Sequence, residues 1–190
     1  NTKVPTDLKV AMGTKNMTKE PAMTREEAVK GLEAGIEMVR RLKEKGYTLL
    51  ATGEMGIGNT TTSSAVASVL LDEPVEKMTG RGAGLSSEGL NRKIAAIKKA
   101  VEVNKPDPSD AVDVLAKVGG FDIAGMAGVF LGGAALRVPV VIDGFISCVS
   151  ALIAKRICPT AGDYMIASHV SKEPAARLLL EALEKEAVIH

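Results

Sequence analysis

Glycines, one carboxylate and a run of hydroxyls crowd a ten-residue stretch, Gly53-Glu54-Met55-Gly56-Ile57-Gly58-Asn59-Thr60-Thr61-Thr62. Glycine lets a backbone turn tightly and bring its N–H groups against a ligand. A helix from Thr60 to Leu71 would add unpaired N–H groups and the positive end of its dipole. The chemistry this favours is anion binding, most often of phosphate. Gly53 to Thr60 has the spacing of a Walker A loop, but Asn59 holds the lysine position, so nothing there reaches a terminal phosphate by charge. The dinucleotide fingerprint also fails, because Thr61 stands where its third glycine belongs. A phosphate site fits; an NTPase or a dehydrogenase does not. Glu54 would repel phosphate, so its role is to accept a hydrogen bond from a neighbouring hydroxyl or a ligand proton. The plainer alternative is a tight strand-to-helix turn with a solvated glutamate.

Other residues could join that loop. A second glycine loop, Gly80-Arg81-Gly82-Ala83-Gly84, precedes a helix capped by Ser86 or Ser87. Leu90, Ile94, Ile97 and Val101 are the inward stripe of that helix. Lys93 is expected on a different face, within reach of the glycine loop, where it would neutralise phosphate or simply stay solvated as most lysines do. Asp143-Gly144 follows the apolar run Arg137–Ile142, at the carboxyl end of a strand, where open α/β sheets gather ligands. Asp143 could equally cap the helix that begins at Phe145. Ser168-His169 ends a last short strand, Tyr164–Ala167. Ser171 is expected to cap the final helix, with Glu173 and Pro174 in its first turn. His169 reads as a hydrogen-bonded strand-end residue, since no second histidine at metal spacing supports a zinc site.

The elements that must position these residues are legible. Thr24 and Glu27 form a capping box, and Ala28, Leu32, Gly35, Ile36, Val39 and Leu42 form one helical face closed by Gly46. Ser109 is expected to cap a helix ending at Gly119-Gly120. The next helix, from Phe121, carries Gly125, Gly128, Gly132 and Gly133, costly unless a neighbouring backbone packs closely. Strands alternating with helices predict a three-layer α/β/α fold with a mostly parallel, Rossmann-like sheet. Residues 1–23 read as a connector or arm, and 24–190 as an α/β nucleotide-binding core.

Composition bounds the function. A chain of 190 residues fits one domain or a large part of one, and 46% apolar content supplies a core. A formal charge of +1 with 3% aromatics argues against nucleic acid. Cys148 and Cys158 lie in apolar surroundings and read as buried, reduced thiols of a cytoplasmic protein without a signal peptide. Ile123–Leu136 is too short and glycine-rich to span a bilayer. Neither a metal nor a cofactor is expected.

Five motifs in order resemble those of nicotinate-nucleotide–dimethylbenzimidazole phosphoribosyltransferases: PAMTREEA (Pro21–Ala28), GEMGIGNTTT (Gly53–Thr62), VGGFDIAGMAG (Val118–Gly128), PVVIDGF (Pro139–Phe145) and SHVSKEP (Ser168–Pro174). The resemblance covers almost the whole chain. It implies transfer of the phosphoribosyl group from nicotinate mononucleotide to 5,6-dimethylbenzimidazole, giving α-ribazole 5′-phosphate and nicotinate for the lower ligand of cobalamin. The cationic leaving group needs no metal, so alignment of two rings and acceptance of a proton suffice. Carried over by resemblance, Glu54 lies near the acceptor base or the ribose. The backbone of Gly56, Gly58, Asn59, Thr60 and Gly82 lines the nucleotide site. Lys93 and Ser171 assist with phosphate, and Asp143 with Gly144 borders the ribose. Family members are homodimers, which implies the same here.

Two departures accompany the resemblance. Ala83 stands where the family typically has threonine, removing one hydroxyl contact. Family members are also longer, with a segment before the equivalent of Asn1 and a G-E-G-T-G-type loop past His190 whose glutamate is the family's proposed general base. No such loop occurs in this sequence. The chain therefore resembles the central piece of the enzyme, and the alternative is a truncated core that binds the nucleotide without turning it over.

Overall fold

The computed structural model describes residues 6–189; Asn1–Pro5, at the head of the expected arm, and His190 lie outside the described residues. In chain order the elements are α1 (Arg25–Glu44), β1 (Leu50–Ala51), α2 (Asn59–Leu71), α3 (Val75–Met78), α4 (Ser87–Asn104), α5 (Ala111–Val118), α6 (Phe121–Leu136), β2 (Val140–Ile142), α7 (Phe145–Ile157), β3 (Met165–Ala167) and α8 (Ala176–Leu183). Short 3-10 turns cover Thr6–Leu8 and Pro159–Tyr164. The strands form one parallel sheet in the order β1-β2-β3, pairing Leu50 with Val140 and Val140 with Met165. This is the expected α/β class. Val140, Ile142, Met165 and Ala167 alternate onto one face and are buried there, while Ala51 and Ile166 on the opposite row are exposed.

Local chemistry explains the element boundaries. Thr24 accepts the Glu27 N–H and Glu27 accepts the Thr24 N–H, so the capping box forms as expected. Gly46, just beyond α1, takes φ +90, the left-handed turn that glycine adopts without steric penalty. The cap of α5 is Asp110 rather than Ser109: its carboxylate accepts the Val112 and Asp113 N–H groups. Ser109 instead hydrogen-bonds the Asp107 carboxylate in the preceding turn.

The glycine-rich helix α6 lies directly against α1. A Cβ on Gly128 would fall 2.0 Å from the Leu32 carbonyl oxygen, and one on Gly132 2.9 Å from the Ile36 Cα. Close backbone approach is the reason for these glycines, and the neighbour is α1 of the same chain. Gly125 is different, since a Cβ there would meet nothing within 4 Å. Residues 17–23 dock on the core: Met17, Ala22 and Met23 are buried, and the Ala22 and Met23 amides donate to the carbonyls of Lys117 and Ala116.

Candidate functional site

The parallel sheet brings three chain ends to one side. Glu54 follows β1, Asp143 follows β2 and Ser168 follows β3, with the Ser168 amide bonded to the Ile142 carbonyl at 3.1 Å. A cleft of about 90 Å³ opens there, lined by Glu54, Thr60, Asp143, Gly144, Ser147 and Glu173 among others. Four sequence-predicted residues thus share one wall. A wider hollow of about 430 Å³ lies between residues 8–11, α1 and α6, but its lining is almost wholly apolar. The polar groups converge at the smaller cleft, which is where chemistry is possible.

Its anion-binding side is built from the first turn of α2. Gly58 heads that helix with φ +91 and no side chain caps it, so the Asn59 and Thr60 N–H groups at its start are left without a side-chain partner. The Lys93 ammonium donates to the Thr60 hydroxyl at 2.9 Å and to the Gly80 carbonyl at 3.1 Å, leaving a third N–H for an anion. Gly82, at φ +53, packs so near that a Cβ would sit 2.8 Å from the Thr60 Oγ1. Two glycine loops and one lysine therefore meet at Thr60.

Lys93 corrects its expected placement. It is not on a face apart from the apolar stripe; it belongs to the buried row Gly89, Lys93, Ile97, Ala100, Asn104 of α4 and is 6% exposed. Leu90, Ile94 and Val101 are not part of that row: all three are only partly buried. Burial pushes the Lys93 ammonium below the usual lysine range, and the negative charge of Glu173 partly opposes the shift. Its nearest acceptors are polar atoms of the site, so the fold carries a desolvated cation where an anion would relieve it.

Ser171 is likewise not a helix cap. Helix α8 begins at Ala176, and the Ser171 hydroxyl accepts the Glu173 N–H at 3.3 Å in the turn before it. That turn delivers Glu173, a residue given no site role in the sequence reading. Its Oε2 is buried without a hydrogen-bond partner and lies 1.9 Å from where a Cβ of Gly80 would be. Asp143 does not cap α7: Gly144 holds the cap position without a side-chain bond, and Asp143 is exposed beside the cleft. His169 shares a 2.9 Å hydrogen bond with the Ser168 hydroxyl, as a strand-end residue would. Cys148 is buried, whereas Cys158 is only half-buried, contrary to the expected pair of buried thiols.

On the other side of the loop, the Asn59 side-chain amide donates to both Glu54 Oε2 and Asp122 Oδ2, the latter at 2.8 Å. Asn59 was expected to contribute backbone; its side chain also holds two carboxylates. Asp122 sits in the first turn of α6 and was not singled out from the sequence. The available signal was its place directly after Gly119-Gly120-Phe121 within VGGFDIAGMAG, where an acid complements a helix N-terminus.

Comparison with known proteins follows the same lines. A family model described as phosphoribosyltransferase matches residues 1–190. The nicotinate-nucleotide–dimethylbenzimidazole phosphoribosyltransferase of Ruminiclostridium cellulolyticum is 58% identical over 176 residues, covering 93% of this chain and 50% of the relative. That of Acetivibrio thermocellus is 55% identical over 182 residues, covering 96% and 52%. The crystal structure of CobT from Thermus thermophilus superposes with a TM-score of 0.90 at 42% identity, over 95% of this chain and 54% of that one. The chain spans about half the length of the curated relatives it matches.

Proposed function

The chain belongs to the nicotinate-nucleotide–dimethylbenzimidazole phosphoribosyltransferase family, and we propose that it carries the nucleotide-binding part of that transfer. In the reaction the bond between C1′ and the pyridinium nitrogen breaks and its electron pair returns to nicotinate. A benzimidazole nitrogen bonds C1′ from the opposite face, and the proton on the acceptor's other nitrogen leaves to a base. The products are α-ribazole 5′-phosphate, used in cobalamin lower-ligand assembly, and nicotinate.

The observation that carries this reading is the meeting of two glycine loops and a buried ammonium at Thr60, on the wall of a cleft that Glu54 and Asp143 also line. The 5′-phosphate fits the Lys93, Thr60 and Gly82 side, where helix N–H groups and a buried ammonium converge. The backbone of Gly56, Gly58 and Asn59 borders the same loop, and Ser171 acts through the turn that holds Glu173 beside Lys93. Asp143 and Gly144 border the ribose, while Glu54 faces the cleft as the carboxylate next to the acceptor base or the ribose. Carboxylates on that side suit a pyridinium and the positive charge that develops at C1′. The final proton goes to the glycine-flanked glutamate that the family resemblance implies beyond residue 190. The working form is a homodimer, as the resemblance implies.

The test is a chromatographic assay for α-ribazole phosphate, run beside calorimetry of nicotinate mononucleotide on the 190-residue chain. The expected result is nucleotide binding by this chain, with affinity lost in Lys93→Met. A folded chain that ignores both nucleotide and inorganic phosphate would overturn the reading. Product formation by the chain alone would move the proton acceptor to a residue within it.

A further inference from the structure

Asn59 is held in an unusual way for a residue at the start of a helix. Both acceptors it meets are carboxylate oxygens, from Glu54 in the loop and Asp122 at the head of α6, 63 residues further along the chain than Asn59. Carboxylates only accept, so the amide nitrogen, with its two N–H donors, must face them. The backbone makes room on both sides. A Cβ on Gly56 would lie 2.6 Å from Asn59 Nδ2 and 3.3 Å from Glu54 Oε2, and one on Gly120 would lie 2.6 Å from Asp122 Oδ1. Neither glycine takes a left-handed φ, so backbone conformation does not require them. Clearance for this cluster does.

We infer that Asp122 is a positioning residue for Glu54, acting through Asn59. The inference rests on the reading of Glu54 as the carboxylate that faces the reacting ring. Glu54 sits on an exposed loop whose neighbours Met55 and Ile57 are fully exposed, so nothing in its own segment fixes its side chain. Asp122 is anchored in a helix packed against α1, and Asn59 in the first turn of α2. The cluster therefore transfers the rigidity of two helices to one carboxylate. This is how a group on an exposed loop reaches the tolerance that alignment demands, where an error of about 1 Å costs on the order of 100-fold in rate.

The experiment compares Asp122→Ala, Asp122→Asn, Glu54→Gln and the Asp122→Ala/Glu54→Gln pair. Two readouts are used: transfer kinetics in the longest form of the protein that turns over, and side-chain NMR of the 190-residue chain. Asp122→Ala should lower kcat about ten- to a hundredfold with KM for nicotinate mononucleotide changed less than about threefold. Asp122→Asn keeps an acceptor and should recover most of the rate. In the Glu54→Gln background Asp122→Ala should cost nothing more. On the 190-residue chain, Asp122→Ala should shift the Glu54 carboxyl carbon signal and remove exchange protection from the Asn59 amide protons. Losses that multiply in the pair, or a Glu54 signal unmoved by Asp122→Ala, would overturn the positioning role. If Glu54→Gln alone leaves the rate intact, the role of Glu54 fails instead, and the NMR comparison still decides whether the clamp exists.

Discussion

The Lys93 ammonium hydrogen-bonds the Thr60 hydroxyl at 2.9 Å, tying the first turn of α2 to the buried face of α4. The pair joins the two glycine loops into one cradle and explains why a lysine occupies a core row. Burial disfavours its charged form, so its folded-state value lies below the ordinary 10.5. Between the folded value and 10.5 the unfolded chain binds more protons, so stability rises with pH there. At neutral pH the ammonium is carried at a desolvation penalty. Lys93→Met relieves that penalty but leaves the Gly80 carbonyl without its donor and the buried Glu173 carboxylate without its counter-charge, so it should melt below the parent at pH 7 in the absence of ligand. It should also lose most of the thermal shift that millimolar phosphate gives the parent. Melting curves across a phosphate series check both, and an unchanged phosphate shift would remove Lys93 from the anion site.

Gly80 stands between that lysine and a carboxylate. Its carbonyl accepts from Lys93, while its Cα faces Glu173 Oε2 and Pro174 Cδ, which a Cβ would approach to 1.9 and 2.7 Å. The Glu173 carboxylate is the far end of a flexible side chain and can swing; the proline ring cannot. Gly80→Ala should thus fold with a loss of about 1–3 kcal/mol and displace the turn carrying Glu173. Nucleotide affinity should fall at least about tenfold, a change of roughly 1.4 kcal/mol. Calorimetry with nicotinate mononucleotide, paired with a melt, separates the two effects.

Much of this was legible in the sequence, and the misses have physical reasons. Helix periodicity, the Thr24–Glu27 box and the end of α7 before Pro159 depend on neighbours a few residues away, so local patterns locate them. The turn through Gly58 into α2 was legible for the same reason. Lys93 was misplaced because the apolar stripe was drawn through Leu90 and Ile94, while the buried row runs through Gly89, Lys93 and Ile97. A lysine on that row makes sense only once Thr60 and Gly80 are known to lie beneath it. Glu173 depends on contacts from distant segments and leaves no local trace, and Asp122 shows only as an acid in the first turn of a helix, with nothing local to tie it to Asn59. Ser171 looked like a cap because Ser-x-Glu-Pro opens many helices, yet here the chain makes one more turn to set Glu173 beside Gly80.

Helix α6 offers a pair of substitutions that differ only in what lies outside them. Gly128→Ala would drive a methyl group to 2.0 Å from the Leu32 carbonyl oxygen and 3.0 Å from the Gly35 Cα, where neither backbone can yield without separating α1 from α6. A loss of about 3 kcal/mol or more is expected, with a melting point lower by roughly 6–12 °C. Gly125→Ala meets open space in an ordinary helical conformation and should gain about 0.5–1 kcal/mol. Thermal denaturation of both variants is the check. Equal losses would mean that glycine flexibility, rather than contact with α1, explains the pattern.

The two cysteines report on the site without touching it. Cys148, 2% exposed in α7, has its thiol pushed up to about 12, mainly by burial and then by the charge of Asp143. Thiolate is the reactive form, so Cys148 should be inert at neutral pH while the fold is closed. Cys158 lies at the end of α7, half-buried, with its sulfur 3.3 Å from the Thr160 hydroxyl. A chromogenic disulfide reagent should therefore titrate one thiol quickly in the native protein and two in denaturant. Above the ordinary thiol value of 9.0 the unfolded chain ionises at Cys148 while the folded one does not. The stabilising contribution present below 9.0 is then lost progressively as pH rises toward about 12, and slow labelling of Cys148 should speed up over that window. Because α7 begins at the cleft beside Asp143 and Gly144, nicotinate mononucleotide should slow that second reaction by holding the fold closed, in proportion to its occupancy. Slowing by inorganic phosphate as well would assign the protection to the Lys93 cradle; a second thiol that reacts at the same rate with either ligand present would mean that neither binds the closed fold.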